Sequence, residues 1–172
     1  KKITDQKPVI IELGSYWAHY SMWFQKKFPE ADCFMVEADS HNLEVGRNNF
    51  VANNFLNGQF FLSEVSNTGF KLDSFYEEQK IDRVTILHSD IQGWEIEMLN
   101  GAKSFLTRQV AQYIFLSTHS QKIHEEAIKI LKSYGYVIEV SSDFDNHSTS
   151  FDGFILATAP SADRVFENFQ PF

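Results

Sequence analysis

One cysteine, few clustered basic residues and no long apolar run: these absences remove several classes of protein before any motif is considered. Cys33 is the single cysteine in 172 residues. It has no partner for an internal disulfide, and its place inside an apolar stretch marks a buried thiol, which fits the reducing cytoplasm. Fifteen Lys and Arg stand against 23 Asp and Glu, a net charge of −8. Lys1-Lys2 and Lys26-Lys27 are the only adjacent basic pairs. A general nucleic-acid binder needs clustered cations to neutralise phosphates, so none is expected here. No apolar run approaches the roughly 20 residues of a membrane-spanning helix. A phosphate-loop lysine signature, a Gly-x-Ser-x-Gly elbow and a paired-cysteine zinc spacing are all missing. So are internal repeats, low-complexity blocks and interdomain linkers. One domain over residues 1–172 is therefore expected. The chain opens at Lys1 and not at a methionine, which is compatible with an upstream segment having been removed, and a targeting signal there would not be visible.

What is present is material for a packed core: 43% hydrophobic residues, 17 of the 172 being Phe. The stretch from Val9 opens as a short, unbroken apolar run, the mark of a strand covered on both faces, and the acidic Glu12 stands at its end. Gly14 ends it, and Tyr16, Tyr20, Trp23 and Phe28 follow at helical spacing. A second strand, Asp32 to Asp39, again ends in acid. Leu43, Gly46 and Phe50 mark one face of the next helix, closed by Asn53-Asn54 and the Asn57-Gly58 turn. Further strands are expected over residues 59–65, 83–88, 112–118, 136–140 and 154–159. Asp73 reads as the N-cap of a short helix through Glu78. Trp94, Met98, Ala102 and Phe105 line one helix. Ile123, Ala127, Ile130, Leu131 and Tyr134 line another, which ends at Gly135. Seven strands alternating with helices predict an α/β fold, a mostly parallel sheet with helices on both faces. Only the polar loop Ser141 to Asp152 separates the last two strands, so the final one should run antiparallel.

Ligands of open parallel sheets bind outside the carboxyl ends of the strands. The residues there are Glu12 to Tyr16, Glu37 to Asp39, Ser63-Glu64, Asp90 and His119, with the loop Asp143 to His147 on the same edge. Gly14 would let a ligand approach the backbone; alternatively it is merely a turn. Glu37 has the position and chemistry to accept two hydrogen bonds from a ribose diol, or else is a solvated strand end. Asp90 could orient an acceptor hydroxyl or cap the following helix, and the two are compatible. His119 reads either as a general base or as a residue beside Ser120, the better helix cap. Asp143, Asp145 and His147 resemble a ligand set, but such loops are more often simply hydrated, and no metal is expected. His124 should face solvent, His41 should lie near a helix start, and His88 should be a satisfied core residue.

Two stretches resemble one family. Glu12-Leu13-Gly14-Ser15-Tyr16-Trp17-Ala18-His19-Tyr20-Ser21 resembles the first motif of S-adenosylmethionine-dependent methyltransferases of the FkbM type. Leu72-Asp73-Ser74-Phe75, and then the segment Ile86 to Ala102 containing Asp90-Ile91-Gln92-Gly93 and Glu95, is similar to that family's more distinctive signature. The resemblance implies a class I, Rossmann-like methyltransferase fold with S-adenosylmethionine as cofactor. It implies Glu12, Gly14, Ser15 and Tyr16 around the methionine part, and Glu37 with Ala38 at the ribose. Ser63 and Glu64 would lie near the adenine, and Asp90 beside the substrate entrance. O-methylation of a hydroxyl on a sugar or natural-product-like small molecule is the implied activity. Two departures stand out: Ala18 replaces a usual second glycine, and His88 a common lysine. A methyl at Ala18 would lower cofactor affinity if that position needs φ > 0.

Two other classes compete. Ala18 and the Phe-rich tail Phe166 to Phe172 are what a catalytically silent, partner-binding relative would show. A nicotinamide-dependent oxidoreductase needs three closely spaced glycines, and only Gly14 stands in the window, so it ranks last.

Overall fold

The computed structural model describes residues 7–66, 68–145 and 151–166. Its strands are β1 (Val9–Leu13), β2 (Asp32–Glu37), β3 (Gly58–Leu62), β4 (Val84–Ser89), β5 (Ala111–Thr118), β6 (Val137–Ser142) and β7 (Gly153–Thr158). The helices are α1 (His19–Lys27), α2 (Ser40–Ala52), α3 (Leu72–Glu78), α4 (Glu95–Asn100), α5 (Lys103–Thr107) and α6 (Gln121–Ser133). One seven-stranded sheet runs in the order β3-β2-β1-β4-β5-β7-β6. The β1, β2, β3, β4 and β5 pairings are parallel, whereas β7 runs antiparallel to both β5 and β6. The fold is therefore the expected α/β one, reversed last strand included.

β1 is buried along its whole length because it feeds two cores. Val9, Ile11 and Leu13 join Leu72, Phe75, Met98, Phe105 and Leu131 on one face. Ile10 joins Phe24, Cys33, Met35 and Phe50 on the other, under α1 and α2. The period-two alternation of a strand sends Glu12 to that second face, in line with Ile10. Cys33 is fully buried there, and burial pushes its thiol up to about 12. Asp39 caps α2 by accepting from Asn42 N at 2.8 Å, and Ser120 caps α6 by accepting from Ile123 N at 3.2 Å.

Several local expectations are corrected. Of the aromatics at helical spacing after Gly14, Tyr16, Tyr20 and Trp23 are roughly half exposed or more, while α1 buries Ser21, Phe24 and Gln25. The positive φ angles of Tyr16 and Ala18 rotate the start of α1 and so decide which face turns inward. Asp73 does not cap α3. Its two oxygens accept from Ser104 N at 3.0 Å and Phe105 N at 2.8 Å, closing the start of α5. The single helix expected around Met98 and Phe105 is two, broken at Gly101 and Ala102. His124 does not face solvent. It is buried, with Nδ1 2.8 Å from Thr118 Oγ1 and Nε2 2.9 Å from Ser141 Oγ, so two hydroxyls replace its hydration. Burial also lowers its affinity for a proton. His147 and most of the Phe-rich tail lie outside the described residues. Within them, Val165 N and Phe166 N donate to Glu139.

Candidate active site

The sheet order changes direction at β1, with β2 on one side and β4 on the other. A cavity of about 630 Å³ opens there, at the carboxyl ends of β1, β2 and β4. Its size and place are those of a ligand cleft in an open α/β sheet. Glu12, Gly14, Ser15 and Tyr16 line it from β1 and the turn beyond, and Glu37 and Ala38 from the end of β2. Ser63 and Glu64 line it from the segment after β3, and Asp90 from the loop after β4.

The turn after β1 is held by its neighbours. Gly14 N and Ser15 N both donate to Val36 O, at 2.9 and 3.1 Å. Gly14 has φ of +69°, and a Cβ placed on it would lie 1.8 Å from Asp90 O. Glycine is thus required by the close approach of the loop after β4, in addition to any ligand. Asp90 N donates to Leu13 O at 3.0 Å and ties that loop to β1. Ser15 Oγ is buried at the cavity without a hydrogen-bond partner.

Glu37 is fixed through both oxygens. Oε2 accepts from Tyr16 N at 2.7 Å and Oε1 from Asp39 N at 3.0 Å. Each oxygen keeps a further lone pair for a ligand hydroxyl. Glu12 is 1% exposed, and its Oε2 accepts from Ser21 N at 3.0 Å and from Ser21 Oγ. Burial pushes this carboxyl up to about 7, against the lowering effect of the Ser21 bonds. His88 is its register neighbour across β1 and β4. It also lines the cavity and packs against Tyr20, the two rings tilted with centres 4.2 Å apart. Its Nδ1 has no partner, so it is not the satisfied core residue expected, and burial lowers its pKa to about 4.

His119 is not among the lining residues; it stands behind Asp90. Its Nε2 is 3.3 Å from Asp90 Oδ1 and 3.8 Å from Asp152, and its Nδ1 is 2.7 Å from Glu95 Oε1. Glu95 is fully buried, and the same Oε1 accepts from Gly93 N at 3.0 Å. Gln92 and Gly93, both at positive φ, curl the loop so that Gln92 Nε2 donates to Asp90 Oδ1 at 2.8 Å. Among the described residues, no group of three or more His, Cys, Asp or Glu is arranged to hold a metal.

A family model described as the methyltransferase FkbM domain matches residues 13–138. The chain belongs to that family. Its methyl donor is S-adenosylmethionine. No curated protein matches the chain. Among solved structures, it is similar to precorrin-6y C5,15-methyltransferase from Geobacter metallireducens (15% identity, TM-score 0.63, 90% of this chain and 82% of that one). It is also similar to Aeropyrum pernix fibrillarin with natively bound S-adenosylmethionine (16% identity, TM-score 0.64, 90% and 67%). A third is M. capricolum TrmK with S-adenosylhomocysteine (13% identity, TM-score 0.63, 96% and 68%). At such identities the likeness concerns the fold.

Several residues of this FkbM-family cavity region were not singled out as candidates from the sequence, Tyr20, His88 and Glu95 among them. Tyr20 and His88 face the cavity because α1 and the parallel register bring them beside Glu12. Glu95 stands two residues after Gly93 in the second motif, and that spacing was its only signal. Ala18 has φ of +61° but is fully buried and is not a lining residue. Its methyl faces Gly46 of α2.

Proposed function

We propose that this chain moves the methyl group of S-adenosylmethionine onto a hydroxyl oxygen of a neutral small molecule, a sugar or natural product. The carrying observation is the cavity at the β1/β4 switch with Glu37 pinned at one wall and Asp90 at the other. The residues present fit the donor. Glu37 offers oriented lone pairs to a ribose diol, and the unpartnered Ser15 Oγ offers a hydroxyl beside the methionine part. Ala38, Ser63 and Glu64 supply the wall for the base. Bound there, the donor supplies an electrophilic methyl on a positively charged sulfur.

The protein's contribution is alignment and exclusion of water. Good alignment gives effective molarities of roughly 10⁵ M or more, against about 10²–10⁴ from a general base. Asp90, at the wall, is the group to receive the acceptor's proton. His119 stands behind Asp90 as a positioning residue: Glu95 orients its ring through Nδ1, and its Nε2 lies 3.3 Å from Asp90 Oδ1 without a hydrogen bond. Tyr16, Trp17 and Trp94 remain 41–52% exposed, and Tyr16 and Trp94 line the cavity, giving apolar ring faces for an acceptor. No lysine or arginine lines the cavity among the described residues. That supports a neutral acceptor over a phosphorylated one or a nucleic acid. Nothing favours the silent reading, since the Ala18 methyl points at Gly46.

Calorimetry with S-adenosylmethionine, followed by a radiolabel-transfer screen over neutral polyhydroxylated acceptors, tests this reading. Binding with transfer to an oxygen is expected. Binding without transfer to any hydroxyl, or transfer to nitrogen, would overturn the acceptor assignment.

A further inference from the structure

Two buried polar atoms on residues that line the cavity have no hydrogen-bond partner, Ser15 Oγ and His88 Nδ1. Ser15 is 2% exposed and His88 is 9% exposed. A buried nitrogen without a partner costs stability, and a ligand that supplies the partner recovers that cost on binding. Tyr20, packed against His88, holds the imidazole in place. Burial lowers the His88 pKa to about 4, so at neutral pH the ring is uncharged and carries one N–H. No lysine or arginine lines the cavity among the described residues, so an anionic group entering it must be met by neutral hydrogen-bond donors. His88 and Glu12 are register partners on adjacent parallel strands, which places them on one face of the sheet about 4.8 Å apart. An α-amino acid carries an ammonium and a carboxylate on a single carbon. A carboxyl beside a neutral ring N–H, one strand spacing apart, offers a partner to each.

We infer that His88 binds the carboxylate at the amino-acid end of S-adenosylmethionine through Nδ1–H, with Ser15 Oγ as the second hydrogen-bond donor and Glu12 facing the ammonium. The inference rests on the cofactor reading above. Methyl transfer leaves the amino-acid end unchanged, so His88 holds the sulfonium cofactor and its thioether product alike. The carboxylate is then gripped by two uncharged groups, without an arginine fork.

The test is calorimetric titration of the full chain with three ligands, the weaker ones read by competition. They are S-adenosylhomocysteine, its decarboxylated analogue, and methylthioadenosine, which lacks the whole amino-acid end. His88→Phe keeps a ring against Tyr20 but has no N–H. It should weaken S-adenosylhomocysteine about 10- to 100-fold, while the other two ligands stay within about twofold of wild type. His88→Asn, whose amide N–H can take the place of Nδ1–H, should recover most of the loss. His88→Leu removes the same N–H and repeats the test should the Phe variant not fold. An unchanged affinity for S-adenosylhomocysteine would overturn the inference, as would an equal loss for all three ligands. A loss shared by S-adenosylhomocysteine and its decarboxylated analogue, but not by methylthioadenosine, would place His88 at the ammonium and also overturn it. Failure of all three ligands to bind the wild type would instead overturn the cofactor reading.

Discussion

Replacing His88 by Leu should tilt the pH dependence of stability, because His88 and Glu12 pull it in opposite directions. The folded protein holds Glu12 at about 7 against an ordinary 4.5, so it keeps a proton that the unfolded chain releases. Stability from this group is full below pH 4.5 and falls as pH rises to 7. His88 is held at about 4 against an ordinary 6.5, so the unfolded chain takes up a proton that the folded one refuses. Its effect is absent above pH 6.5 and costs stability as pH falls to 4. Each displacement is worth about 3 kcal/mol in full, of which about 2 kcal/mol falls between pH 4.5 and 6.5. The wild-type contributions nearly cancel in that window. His88→Leu leaves Glu12 alone, so the variant should lose about 2 kcal/mol relative to wild type on going from pH 4.5 to 6.5. Urea denaturation of both proteins at pH 4.5, 5.5 and 6.5 measures it, and taking the difference removes every other titration. Parallel curves would refute the view that His88 is held neutral by burial.

Other expectations concern geometry. Asp73→Ala removes two bonds that close α5 and should cost about 2 kcal/mol by urea denaturation, a loss no exposed carboxylate would show. Gly14→Ala forces a methyl against Asp90 O and should abolish S-adenosylhomocysteine binding in calorimetry as the two loops part. Ala18→Gly relieves a left-handed residue but deletes a buried methyl and loosens the unfolded chain. Its stability should stay within about 1 kcal/mol of wild type, with donor affinity unchanged. Glu37→Gln keeps the shape but loses charge-assisted bonds, and should weaken S-adenosylhomocysteine about 10- to 100-fold in the same assay.

Much of the architecture was legible because its signals are local. The apolar runs of β1 and β2, the face of α6 and the polar sequence between β6 and β7 each carry their own evidence in consecutive residues. The sheet edge carrying the cavity, with Glu12, Glu37 and Asp90 on it, follows from that topology. Side-chain partners were less legible, because they lie far apart in the chain. Asp73 meets residues 104 and 105, and His119 meets Glu95 and Asp90. Neither pairing leaves a trace in spacing. The inward face of α1 is not legible in the sequence: Tyr16 and Ala18 adopt positive φ, a conformation that glycine would signal and these residues do not. His124 was misplaced because its two hydroxyl partners come from β5 and β6, which lie on either side of α6 in the chain.

The central claim is that Glu37 and the turn after β1 hold the nucleoside of the methyl donor. A crystal structure with S-adenosylhomocysteine tests it most directly. The account predicts both ribose hydroxyls within hydrogen-bond distance of the Glu37 carboxylate and the thioether facing Asp90. A nucleoside lodged elsewhere, or a Glu37 that touches only Tyr16 N and Asp39 N in the complex, would contradict it.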